Sequence, residues 1–201
     1  MMNGMRKAGT EVVASEGRAE DATTLFGFWT YLMTDLVLFA SLFAVYAVLR
    51  GGTYGGPGTE LFSAPFALKE TLILLTSSFT CGIALLFARS NRRLETIASL
   101  AVTFALGAWF VVLEVSEFVR FAAEGNGPSR SAFLSSYFTL VGTHGLHVFV
   151  GLAWMLALGI ALVSKGLARS TVRKLALLTL FWHFLDLVWI FIFTIVYLFG
   201  V

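Results

Sequence analysis

Residues 133–163 read FLSSYFTLVGTHGLHVFVGLAWMLALGIALV, a stretch with no Asp, Glu, Lys or Arg, interrupted only by His144 and His147. A hydrocarbon layer about 30 Å thick is crossed by a helix of about 20 apolar residues, so this run is long enough to span it. Four other segments meet the same test, at about residues 26–49, 66–88, 97–119 and 175–200. Charged or turn-forming residues fill the connectors 50–65, 89–96, 120–132 and 164–174. The expected fold is an all-α membrane protein, a bundle of five transmembrane helices in one membrane domain over residues 26–201.

Composition excludes the main soluble classes. Hydrophobic residues make up 58% of the 201 positions and charged residues 13%, about half the charged share of an ordinary soluble domain. The apolar residues fall in long blocks rather than the alternation of a membrane barrel. A single cysteine, Cys81, rules out an internal disulfide and any Cys-x-x-Cys motif, and its apolar surroundings fit a small core residue. Residues 1–25 mix Arg6, Lys7 and Arg18 with Glu11, Glu16, Glu20 and Asp21 around no apolar centre, so they are expected to form a short, polar, disordered cytoplasmic arm rather than a signal peptide.

Basic residues orient the bundle, because Lys and Arg concentrate on the cytoplasmic side. The amino-terminal arm and the second and fourth connectors hold ten of them, against Arg50, Arg120 and Arg130 in the other two. The amino terminus is therefore expected in the cytoplasm and the carboxyl terminus outside. The net charge of +2 is accounted for by this distribution, with no nucleic acid as partner. The glycine-rich connector GGTYGGPGTELFSAP (51–65) lacks the Lys and following helix of a phosphate loop and reads as a flexible outer turn.

Each span carries ionisable groups where they are costly: Asp35, Glu70, Glu114 with Glu117, His144 with His147, and His183 with Asp186. A central Asp costs about 2.5–3.5 kcal/mol on the insertion scale, while each Leu, Ile, Phe or Val returns about 0.3–0.6. The first span has enough of these to insert despite Asp35, whose carboxyl must then find a partner or hold its proton. The three pairs each sit three residues apart and so share a helical face, which predicts a polar seam turned from lipid. Gly142, Gly145 and Gly151 would let neighbouring helices approach closely beside the histidines. Glu114 or Glu117 is the expected partner of His144 or His147.

Depth argues against one compact metal centre. Asp35, His183 and Asp186 fall in the cytoplasmic half, Glu70, Glu114 and Glu117 toward the outside, and His144 and His147 between. Di-iron bundles use Glu-x-x-His on two helices, whereas this chain offers Glu-x-x-Glu, His-x-x-His and His-x-x-Asp. No catalytic, cofactor-binding or metal-ligating residue is expected in the chain, and the eight ionisable residues are read as structural or proton-related. Trp29, Tyr31 and Tyr46 suit membrane boundaries, and Trp109, Trp154, Trp182 and Trp189 suit internal packing.

The motifs HGLHV (144–148) and WHFLDLVW (182–189), with VSEF (115–118) and the Asp35 helix GFWTYLMTDLVLF, resemble subunit III of the haem-copper terminal oxidases. The resemblance runs over nearly the whole chain from Phe26. Five helices rather than seven, and aspartate rather than glutamate at position 35, resemble the quinol-oxidising cytochrome bo branch in bacteria. The resemblance implies an accessory, non-catalytic subunit of an oxidoreductase in the bacterial inner membrane, supporting assembly, sustained turnover and proton uptake. It implies haems and copper in a partner catalytic subunit I, further partners in subunit II and a small subunit IV, and bound phospholipid. The cytochrome c oxidase branch is the alternative, and the buried acids and imidazoles taken alone would also fit a small proton-coupled transporter or a membrane metalloenzyme.

Overall fold

The computed structural model describes residues 2–56 and 58–199, with side chains described from residue 22 onward apart from those at 59 and 165. Five α-helices follow one another: α1 (Met2–Leu49), α2 (Ala64–Arg89), α3 (Arg93–Ala123), α4 (Ala132–Lys165) and α5 (Arg169–Ile192). A single 3-10 turn, Thr59–Leu61, precedes α2, and a π-helical segment, Phe193–Leu198, continues α5. Each helix has a stretch long and apolar enough to cross a membrane, from Ala22–Leu49 to Arg169–Leu198. The expected spans are each present, extended by a few residues at most ends.

One expectation fails at the amino terminus. The arm read as disordered belongs to α1, which begins at Met2; residues 2–25 contain no proline, and Ala, Glu, Arg and Met there favour the helix. The chain divides into two compact units at Val37/Leu38, within α1.

Short connectors make the hairpins. Asn91 adopts a left-handed φ of 56° in the tight turn joining α2 to α3, and these two helices pack along their length. Pro65 occupies the first turn of α2, where a missing N–H costs nothing. The Ser131 hydroxyl caps α4 by accepting from the Leu134 N–H at 3.1 Å, and Gly166, with φ 72°, ends it.

Within the second unit α2 packs on α3, α3 on α4, α4 on α5 and α5 back on α2, closing a ring. The part of α1 after Val37 lies on α4 and α5 through Phe39, Phe43 and Tyr46, with Phe43 against Phe191 and Tyr46 against Phe133. The inward stripe of α2 is Ala67, Glu70, Thr71, Leu74, Ser77, Ser78, Cys81, Ala84 and Ala88. It is more polar than the outward face, where Leu68, Leu72, Leu75, Phe79 and Leu86 are exposed. That inversion suits a hydrocarbon solvent.

Candidate functional site: a buried polar seam

The buried stripe of α3 runs Thr96, Leu100, Thr103, Gly107, Phe110, Glu114, Glu117, Phe121, the three-and-four spacing of a single helical face. Its two acids therefore point inward together. Glu117 receives the Tyr197 hydroxyl at 3.1 Å and the Tyr137 hydroxyl at 3.3 Å on Oε2, and Arg120 approaches Oε1 at 3.3 Å. The two phenol oxygens are 3.0 Å apart. Each phenol has one proton, so at most two of these three contacts are hydrogen bonds at any instant. Glu117 thereby ties α3 to α4 and to the π-helical end of the chain.

Glu70 and Glu117 are the acidic neighbours of Glu114. Glu70 and Glu114 are buried, and neither carboxyl has a hydrogen-bond partner among the described residues. Glu114 lies against Gly145 of α4: a Cβ there would sit 3.1 Å from Oε1. Carboxyls and phenols in contact are groups that hold and hand on protons.

The connector at residues 51–65 is more than a turn. Its Phe62 is buried and stacks on Tyr137, with ring centroids 4.6 Å apart, and on Tyr197 at 5.3 Å. Phe121 and Phe133 complete this apolar cover. The flexible loop expected from its glycines is corrected in this respect, since four buried rings anchor it. Beside it a cavity of about 580 Å³, lined in part by Glu60, Arg120 and Glu124, opens next to the Glu117 ion pair.

The expected pairing of histidine with glutamate is not formed. His144 is fully buried among rings, 5.3 Å from Trp189 and edge-on to Phe110 at 5.9 Å, and neither ring nitrogen has a hydrogen-bond partner among the described residues. His147 bonds through Nδ1 to the Thr143 carbonyl of its own helix at 2.7 Å and packs on Phe39. Residues three apart still diverge by about 60° around a helix of 3.6 residues per turn, so the two imidazoles meet different neighbours. Tyrosines supply the donors that histidines were expected to give.

The last helix repeats the backbone bond. His183 Nδ1 lies 2.8 Å from the Thr179 carbonyl, while Asp186 is buried and has Ser78 and His183 as its polar neighbours. Asp35 is one turn from Tyr31, whose phenol hydrogen-bonds to it. Among the described residues no three His, Cys, Asp or Glu side chains form a group able to hold a metal ion.

Close packing centres on tryptophan. A Cβ at Gly151 would fall 2.9 Å from the Trp182 ring and one at Gly107 only 2.7 Å from it; Gly142 faces Phe118 at an ordinary 3.6 Å. The Ser77 hydroxyl donates to the Thr103 carbonyl at 3.0 Å and accepts from Trp182 Nε1 at 3.2 Å, joining α2, α3 and α5. Trp189 Nε1 donates to Thr71 Oγ1 at 3.1 Å. Tyr46, expected at a boundary, is buried, and Trp109, expected inside, is exposed. Tyr137, Tyr197, Phe62, Ser77, Thr71 and Gly107 were not singled out from the sequence. Their only linear signal is register, since Tyr137 stands two turns before His144 and Gly107 two turns before Glu114.

The sequence profile of the family described as cytochrome c oxidase subunit III matches residues 16–201. The chain belongs to that family. Among relatives in the subunit III family, it is 55% identical over 193 residues to a protein of Pseudomonas aeruginosa named cytochrome bo(3) ubiquinol oxidase subunit 3, covering 94% of this chain and 92% of that one. The protein of the same name from Pseudomonas putida is 51% identical, with 89% and 86% covered. A Bacillus subtilis protein named quinol oxidase subunit 3 is 45% identical, with 88% and 87% covered. The family likeness thus takes in every helix that carries the seam.

Proposed function

We propose that this chain is the accessory subunit III of a proton-pumping, cytochrome bo-type ubiquinol oxidase in a bacterial inner membrane. The observation that carries the reading is 55% identity over 94% of the chain to a protein named as subunit 3 of such an oxidase. In this role the chain performs no catalysis. Haems and copper reside in the catalytic subunit I, with subunit II and a small subunit IV as further partners and phospholipid bound at the helix surface. The amino terminus is cytoplasmic and the carboxyl terminus outside, as the ten-to-three distribution of connector and arm basic residues supports.

The buried seam then has a structural task. Glu117 with its two tyrosines, and the rings of His144 and His147 packed on Phe110, Trp189 and Phe39, fasten helices beside a redox centre housed elsewhere, while Asp35, bonded by Tyr31 of its own helix, is a polar group that sustains proton uptake there. Asp35→Asn is expected to leave initial turnover near normal and to shorten the period of activity. The test is a turnover time course of the purified oxidase: a variant that remains active as long as the parent overturns this role for Asp35. Quinol oxidation is favoured over cytochrome c oxidation because each of the three relatives described is named as a quinol oxidase subunit.

A further inference from the structure

Among Asp, Glu and His side chains placed more than one turn inside a described span, His183 alone is exposed. It lies near the middle of the span Arg169–Leu198, about 20 Å along the helix from the Arg169 end at about 1.5 Å per residue. Lipid headgroups do not reach that depth of a core about 30 Å thick, and an acyl chain offers no hydrogen bond. Ionisable groups inside membranes face a protein interior, a water-filled cavity or a protein partner.

The ring's protonation narrows what it needs. A carbonyl oxygen only accepts, so the 2.8 Å contact with the Thr179 carbonyl places the hydrogen on Nδ1. In the neutral imidazole Nε2 is then an acceptor. Nε2 stands over α2 at a glycine: a Cβ on Gly82 would be 3.8 Å away. The missing side chain leaves a recess beside the nitrogen, of the sort that lets two membrane helices approach closely. Exposed Phe79 and Leu86 flank Gly82 along α2, and exposed Leu187 follows His183 by one turn on α5.

We propose that this face, centred on His183 and Gly82, is where the chain docks against a transmembrane helix of a partner subunit, and that the partner presents a hydrogen-bond donor to His183 Nε2. The proposal rests on the subunit reading above and adds the surface and the polarity of the contact. A second copy of this chain and bulk lipid are the competing occupants.

The test uses the intact assembly in its native membrane, with an affinity tag on this chain and a photoreactive phenylalanine introduced at position 82, 187 or, as a control on the exposed face of α3, 112. Irradiation should join positions 82 and 187 to a larger companion polypeptide and leave 112 joined to lipid. Separately, His183→Phe should reduce companion retained through detergent washing by about tenfold, the 1.4 kcal/mol equivalent of one interhelical hydrogen bond. His183→Gln, which keeps an acceptor, should restore it. Companions present before irradiation but no cross-link at 82 or 187, a cross-link only to another copy, or undiminished retention in His183→Phe overturns the docking face alone. No companion before irradiation overturns the subunit reading, and the docking face with it.

Discussion

The Tyr197 hydroxyl reaches Glu117 Oε2 at 3.1 Å across 80 residues of chain, and closes the bundle at the end where α3 gives way to α4. Tyr137 completes the contact from α4 at 3.3 Å. Losing a donor to a buried carboxyl costs about 1–3 kcal/mol. Tyr197→Phe and Tyr137→Phe should each lower the thermal midpoint of the purified protein, and the double variant should lose less than the sum because the phenols share one acceptor. Strict additivity in the melting series would contradict the shared acceptor.

Phe62 connects the loop between α1 and α2 to this contact by stacking on both tyrosines. Truncating a buried phenylalanine costs about 3–5 kcal/mol. Phe62→Ala should destabilise the protein by that order and hasten hydrogen exchange in the last turns of α3 and the first turns of α4. Tyr54→Ala, at an exposed position in the same connector, should stay within about 0.5 kcal/mol.

Two glycines are set by Trp182. Gly107→Ala and Gly151→Ala would each place a methyl within 3.0 Å of the indole, an overpacking penalty of about 1–3 kcal/mol. Gly159→Ala meets only Leu100, at 4.0 Å, and should be neutral or slightly stabilising. Thermal midpoints of the three variants check the order; equal effects would show that the bundle relaxes around the tryptophan.

Ser77 is the hydroxyl on which three helices meet. Ser77→Ala strands the buried Trp182 N–H and should cost about 1–3 kcal/mol. Thr76→Ala, one residue away but exposed and bonded only within α2, should change stability by less than about 0.5 kcal/mol.

The spans were legible because membrane insertion imposes length and hydropathy residue by residue, and the inward turn of Glu114 and Glu117 followed from helical spacing. Their partners were not legible. Tyr137 and Tyr197 come within 3.0 Å of each other only through the rotation of α4 and the π-helical continuation of α5, neither of which linear spacing encodes. His144 shows the same gap from the other side: its helical face was foreseeable, but the rings of Phe110 and Trp189 that meet it are set by long-range packing. Tyr46 and Trp109 exchange expected places for a similar reason, since an aromatic residue suits both a membrane boundary and a core.

The most direct measurement is mild-detergent purification of the tagged, full-length chain from its native membrane, followed by a gel, a visible spectrum and metal analysis. The account predicts larger companion polypeptides, with haem and copper that disappear from the sample when this chain is separated from them. A chain that purifies alone, or that keeps a stoichiometric redox metal after separation, would contradict it.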